Sequence, residues 1–118
     1  MGELFKKIVL KQKEIVLLPY PYTNQQDAKI RPAVVISNDV FNQKSNDFIM
    51  LPLTSVIKDE PYSILITEND LSSGKLIKLS RIRADKIFTV EKKLIITKIG
   101  MLSEQKFQEI KSKMISIF

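Results

Sequence analysis

The 118-residue chain has no cysteine and no histidine. The first absence excludes disulfides and thiolate metal sites. The second removes a two-histidine ribonuclease site, a serine triad, an imidazole-ligated zinc and a histidine nucleophile. Any proton transfer falls to a carboxylate, a lysine, a tyrosine, an assisting hydroxyl or the substrate itself. No apolar run is long enough to cross a membrane, and Met1-Gly2-Glu3-Leu4 begins neither a charged leader nor a long apolar segment. The cytoplasm is the compartment expected. Arginine is scarce, confined to Arg31, Arg81 and Arg83.

What is present describes a globular protein. The composition is 44% hydrophobic and 27% charged, and this length predicts one domain over residues 1–118, with a single core and room for a terminal helix. Nineteen Lys and Arg stand against thirteen Asp and Glu, a formal charge of +6. That excess favours a polyanionic partner, although lysines scattered along a chain equally serve solubility. The arginines are more informative. Guanidinium groups are planar, bidentate phosphate binders, and this chain concentrates them at two places.

Short apolar runs rich in β-branched residues predict strands at 14–18, 33–36, 48–54, 62–67 and 94–99. Pro19-Tyr20-Pro21-Tyr22 is expected to end the first of these, the polar stretch Thr23 to Lys29 to form a loop, and Ser37-Asn38-Asp39 a turn. Pro52 argues for an edge, a bulge or the end of regular pairing just before Thr54-Ser55. Asn69-Asp70 and Ser72-Ser73-Gly74 read as turns. If the segment from Leu79 to Asp85 is extended, Arg81, Arg83 and Asp85 share one face while Ser80, Ile82 and Ala84 take the other. The tail changes period. Ser103 caps a helix whose first turn holds Glu104, Leu102 and Phe107 occupy hydrophobic-staple positions, and Phe107, Ile110 and Met114 form one stripe. Five or more strands and a C-terminal α-helix predict a mainly β fold, a small barrel, with oligonucleotide-binding and SH3-like barrels equally compatible with the periods.

Lys29-Ile30-Arg31-Pro32-Ala33-Val34-Val35-Ile36-Ser37-Asn38-Asp39 resembles the signature segment of the MazF/PemK/Kid toxin family, in which a loop ends in Arg-Pro and enters a β-branched strand. Leu51-Pro52-Leu53-Thr54-Ser55 looks like the family's second element. Ser80, Ile82-Arg83-Ala84-Asp85-Lys86-Ile87 and Thr89 look like the third, and Ile99-Gly100-Met101-Leu102-Ser103 resembles the approach to its terminal helix. The resemblance implies an SH3-like barrel, a homodimer, a cognate antitoxin protein as partner, and single-stranded RNA as substrate. The implied reaction needs no metal or organic cofactor: the ribose 2′-hydroxyl attacks the adjacent phosphate, leaving 2′,3′-cyclic phosphate and 5′-hydroxyl ends. It implies catalytic places for Arg31, Thr54, Arg83 and Asp85. Two departures stand out. Lys13-Glu14 replaces the Gly-Asp that usually opens the first strand, and Phe88 replaces an arginine often found before the third element's threonine.

The residue types suit that chemistry. The 2′-hydroxyl is an internal nucleophile, so the protein has to align it and stabilise charge on the phosphoryl oxygens, which Arg31 and Arg83 can do as clamps. An arginine, with a reference pKa of about 12.5 or more, is a reluctant acid. Asp85 is the only carboxylate of the 81–85 array and the base candidate, and Thr54 or Ser55 can donate a hydrogen bond. Tyr20, Tyr22 and Phe88 can stack on bases, and Lys29 and Arg81 add positive charge. Blander readings stand beside these: Arg31 bracing a turn, Thr54 ending a strand, Arg83 and Asp85 forming a structural ion pair. The rival function is a noncatalytic RNA- or protein-binding barrel.

Overall fold

The computed structural model describes residues 9–21, 28–56 and 58–118. Among these residues, eight strands and two α-helices follow in the order β1 (Glu14–Tyr20), β2 (Lys29–Val35), α1 (Asp39–Lys44), β3 (Asp47–Thr54), β4 (Ser63–Ile66), β5 (Leu71–Gly74), β6 (Ser80–Arg83), β7 (Phe88–Glu91), β8 (Thr97–Leu102) and α2 (Glu104–Ile115). All pairings are antiparallel. The strand order is β4-β6-β3-β2-β1-β8-β5, with β7 also on β3. The fold is mainly β with a C-terminal helix, as the sequence predicts.

The curl that turns this sheet into a half-barrel is made within β3. Its first half, Asp47–Met50, pairs with β7, and its end, Leu53 and Thr54, pairs with β6. Pro52 lies at the change of partner, where a residue without an N–H is tolerated. Pro19 has a similar excuse, and it corrects the expectation that the prolines end β1. The Ile96 N–H donates to Leu17 O at 2.9 Å, so Leu17 and, two residues on, Pro19 turn their backbone edge toward β8. That strand pairs with β1 only over Glu14–Leu17. β1 therefore continues to Tyr20 with β2 as its partner there.

Alternation along the strands gives two apolar faces. Val16, Leu18, Ala33, Val35, Phe48, Met50 and Val90 fill one. Ile15, Val34, Leu51, Leu53, Ile64, Ile66 and Ile82 fill the other, closed by Leu102 and Ile110 next to and on α2. Ser103 caps α2 as expected, its Oγ accepting the Lys106 N–H at 3.1 Å, and Phe107 and Ile110 are buried while Met114 is half-buried. At the other end of the chain's polarity, Gly74 has φ +80 and lies so close to β8 that a Cβ there would fall 2.2 Å from Ile99 O. Only glycine lets β5 approach β8 at that point.

Several local expectations change. β2 begins at Lys29, earlier than the apolar run, and β8 begins at Thr97 and runs to Leu102, later than predicted. Ser72-Ser73-Gly74, read as a turn, forms β5, and Phe88–Glu91 forms a strand that the pattern did not announce. Ser37-Asn38-Asp39 leads into α1: Asn38 caps it by accepting the Phe41 N–H at 2.8 Å, and buried Asn42 donates to Ser37 O at 2.9 Å. Six residues are too few for a 3.6-residue period to emerge.

Candidate active site

The site grows out of one end of the first apolar face. Side chains that continue the rows of Leu18, Ala33, Met50 and Val90 toward that end are Tyr20, Arg31, Pro52, Thr54 and Phe88, and β6 adds Arg83 from the same face. Continuing the register of Ala33 with Pro52 by two residues sets Arg31 level with Thr54. These six residues, with Leu53, Val56, Lys86 and Ile87, line a cavity of about 530 Å³. A core row thus becomes a polar row where the sheet runs out of partners to cover it.

Each polar group there has a defined state. The Arg31 side chain has no hydrogen bond or ion pair among the described residues and is exposed. Thr54 Oγ1 accepts the Val56 N–H at 3.1 Å, which leaves its O–H to donate. Arg83 is fixed by Asp85: Nε and Nη2 donate to the two carboxylate oxygens at 3.1 and 3.0 Å. This bidentate contact lowers the Asp85 carboxyl below its ordinary range, with burial opposing, and the same bond raises Arg83 above its ordinary value. Both members hold their charge. Asp85 does not line the cavity.

A profile of the PemK-like, MazF-like toxins of type II toxin–antitoxin systems matches residues 11–118. The chain belongs to this family. No protein of curated function matches the sequence. Among solved structures, the chain resembles a Deinococcus radiodurans MazE–MazF complex at TM-score 0.75 and 20% identity, covering 93% of this chain and 96% of that one. It resembles a mycobacterial endoribonuclease in complex with its cognate antitoxin at TM-score 0.74 and 16% identity, covering 91% and 92%. A Mycobacterium tuberculosis MazF toxin aligns at TM-score 0.70 and 14% identity, over 87% and 93%. The small barrel of MazF-like toxins is therefore the fold of this chain.

Within this family member, the residues singled out from sequence separate. Tyr20, Arg31, Thr54, Arg83 and Phe88 converge on the cavity, and Asp85 reaches it only through Arg83. Ser55, one residue beyond Thr54, faces the opposite side and lines a second cavity of about 250 Å³ with Leu17, Ile30, Pro32, Leu53, Ile77 and Ile99. Arg81 lines neither cavity. Its Nε donates to Ser63 Oγ at 2.8 Å and its Nη2 to Ser63 O and Asp59 at 3.2 Å, which ties β6 to β4 and to the segment before it. Lys29 begins β2 opposite Tyr20 without lining either cavity. Tyr22, and most of the loop from Thr23 to Lys29, lie outside the described residues. Sequence reasoning passed over Lys86, Val56 and Ile87 as cavity residues. Their one signal was adjacency to Thr54 and Asp85.

The departures from the family pattern also have structural consequences. Lys13 takes φ +83, a left-handed conformation that a glycine there would adopt without strain. Its backbone is held there from both sides, N–H to Val35 O at 2.8 Å and O from the Leu102 N–H at 2.9 Å, and its ammonium reaches Glu104 at 2.8 Å. Glu14 is buried, accepts the Lys11 N–H at 2.7 Å and pairs with Lys98 at 3.3 Å. Phe88 supplies an aromatic wall to the cavity.

Proposed function

We propose that this chain is the toxin of a type II toxin–antitoxin pair and acts as a sequence-selective, metal-independent endoribonuclease on single-stranded RNA. The observation that carries the reading is the convergence of Arg31, Thr54 and Arg83 on one cavity, in a chain of the MazF-like family. Solved relatives of the same fold are endoribonucleases, one of them bound to its cognate antitoxin.

In this reading the scissile phosphate sits between Arg31 and Arg83, with the Thr54 O–H donating to a nonbridging oxygen. The RNA's own 2′-oxygen attacks phosphorus and the bond to the 5′-oxygen breaks. The 2′-hydroxyl gives up one proton to water and the departing 5′-oxygen takes one from water, so the products are a 2′,3′-cyclic phosphate and a 5′-hydroxyl. The two guanidinium charges favour the more charged transition state, and Arg83 is already held in place by Asp85 before the substrate arrives. Asp85 contributes by holding the Arg83 plane, because both its oxygens already accept from that guanidinium. The remaining edge of Arg83 stays available to phosphate. Tyr20 and Phe88 offer faces for bases next to the cut.

A homodimer is the assembly we assign, and the apolar surface around Ile30 and Ile77, 53% and 64% exposed beside the second cavity, is the surface that association would cover. The antitoxin is the protein partner and the cytoplasm the compartment. The test is incubation with a pool of single-stranded RNAs containing all short motifs, in chelator, beside Arg31→Ala. Discrete cuts that vanish in the variant support the reading. Intact RNA with folded protein moves it to a noncatalytic binding barrel.

A further inference from the structure

We propose that Lys86 is a substrate-binding residue of this site, contacting the backbone phosphate next to the one that is cleaved. The assignment rests on the endoribonuclease reading above and concerns the charge left uncompensated inside its cavity.

Three cations, Arg31, Arg83 and Lys86, line the cavity together with the Thr54 hydroxyl. Among the described residues no carboxylate lines it. Arg83 already carries a full counter-charge from Asp85 through two hydrogen bonds. Arg31 and Lys86 carry none of this kind: among the described residues neither side chain has a hydrogen bond or an ion pair. Its neighbour in sequence, Asp85, has both oxygens taken up by Arg83, and the lysine adds only a small charge effect that lowers that carboxyl.

The two uncompensated charges come from separate walls, Arg31 from β2 and Lys86 from the turn between β6 and β7. The Lys86 backbone is fixed there, its N–H donating to Arg83 O at 3.2 Å, while the Ala84 N–H donates to Tyr62 O at 2.8 Å and anchors the start of the turn. The ammonium is thus a mobile group on a rigid base, a point charge suited to a phosphate that needs position rather than bidentate geometry. A single phosphate between Arg31 and Arg83 brings one negative charge. A strand that continues past it brings another, and Lys86 is the cation placed to receive it. This also gives the site a direction: Arg31 and Arg83 hold the reacting group, and Lys86 with Phe88 and Ile87 holds the flanking nucleotide.

The experiment uses the full-length protein and an oligoribonucleotide spanning a mapped cut, with the 2′-hydroxyl at that cut replaced by hydrogen so that binding is measured without cleavage. Titrations at several salt concentrations compare the wild type with Lys86→Ala, Lys86→Arg and, as an exposed lysine on α2, Lys111→Ala. Lys86→Ala should weaken binding about tenfold at low salt and flatten the dependence of log affinity on log salt by about 0.7, one contact's worth for a single strand. Lys86→Arg should restore both, and Lys111→Ala should change neither. A neutral methylphosphonate at the flanking phosphate should abolish the difference between wild type and Lys86→Ala, whereas one at the scissile phosphate should leave it, since only groups in contact couple. An unchanged salt slope in Lys86→Ala, in a protein whose wild type binds and cuts, overturns the assignment alone. A wild type that neither binds nor cuts RNA overturns the nuclease reading and the assignment with it.

Discussion

The two cavities share Arg31 and Leu53 and differ in nearly everything else. One opens on the face of Leu18, Ala33 and Met50 and is walled by two arginines, a lysine, a threonine and two aromatic rings. The other opens on the face of Ile15, Val34 and Leu51 and is mostly aliphatic, with Leu17, Ile30, Pro32, Leu76, Ile77 and Ile99 against Ser55, Lys78 and Ser80. The same strands build both. A period of two puts Arg31 and Thr54 in the cavity proposed for the chemistry and Ile30, Pro32 and Ser55 on the surface proposed for the dimer. The proposed catalysis and the proposed assembly should therefore respond separately to changes at neighbouring residues.

The largest separation is expected between arginines. Arg31→Ala should lower the cleavage rate about a hundred- to a thousandfold, the loss typical of removing one donor from a charge-stabilising site. Arg81→Ala, two strands away and turned toward Ser63 and Asp59, should keep the rate within about threefold but lower stability by about 1 to 2 kcal/mol as its buried-side hydrogen bonds are lost. Cleavage kinetics and denaturant unfolding of the two variants measure both quantities; equal rate losses would erase the distinction between site and flank.

Asp85 tests how the catalytic cavity is organised. As a residue acting through Arg83, it should cost about a hundredfold when changed to Ala and about tenfold when changed to Asn, whose carbonyl oxygen can still accept from Arg83. The pH dependence adds a second readout. Asp85 is lowered by its bonds to Arg83, so the pairing is complete above the ordinary carboxylate range and is lost only as pH falls through the lowered value. Arg83 is raised, so it stays charged until pH exceeds the ordinary arginine value. Neither group titrates between about pH 5 and 9, and Asp85→Asn should reduce the rate without reshaping the profile there. A wild-type rate that climbs with pH, and loses that climb in Asp85→Asn, identifies the aspartate as a base instead.

On the aliphatic side, Ile77→Lys should shift the assembly toward monomer, with dimer affinity falling at least about tenfold by sedimentation equilibrium, since a charge cannot be desolvated cheaply at an apolar contact. Monomer stability should stay within about 0.5 kcal/mol because the residue is exposed. The smallest effect lies away from both cavities. Lys13→Gly should raise stability by about 0.5 kcal/mol, the relief of a left-handed side-chain-bearing residue partly offset by the greater freedom of glycine in the unfolded chain. A decrease in melting temperature would show that the Lys13–Glu104 contact outweighs the strain.

The strands that carry the cores were legible because Val, Ile and Leu alternate or cluster over four or more residues, and α2 was legible from its cap and its stripe. β5 was not, since Leu-Ser-Ser-Gly has little strand propensity and exists because β8 pairs with it. α1 was too short to show a period. In the site, Arg31, Thr54, Arg83 and Asp85 stood out through their resemblance to a family pattern, but which neighbours joined them depended on tertiary geometry. Arg81 shares a strand face with Arg83 and was grouped with it. What separates them is where each guanidinium is held: that of Arg81 donates to Ser63 and Asp59, that of Arg83 to Asp85. Lys86 went unnoticed because lysine is abundant in the chain, and only the turn after β6 brings this one to the cavity.

The most direct test of the central claim is the chemistry of the RNA ends. A defined single-stranded RNA carrying one mapped cut, incubated with purified protein in chelator, should yield a 2′,3′-cyclic phosphate and a 5′-hydroxyl, and the same RNA with hydrogen in place of that one 2′-hydroxyl should remain intact. Cleavage of the 2′-deoxy substrate, or a 5′-phosphate at the cut, would contradict attack by the ribose and with it the roles given to Arg31, Thr54 and Arg83.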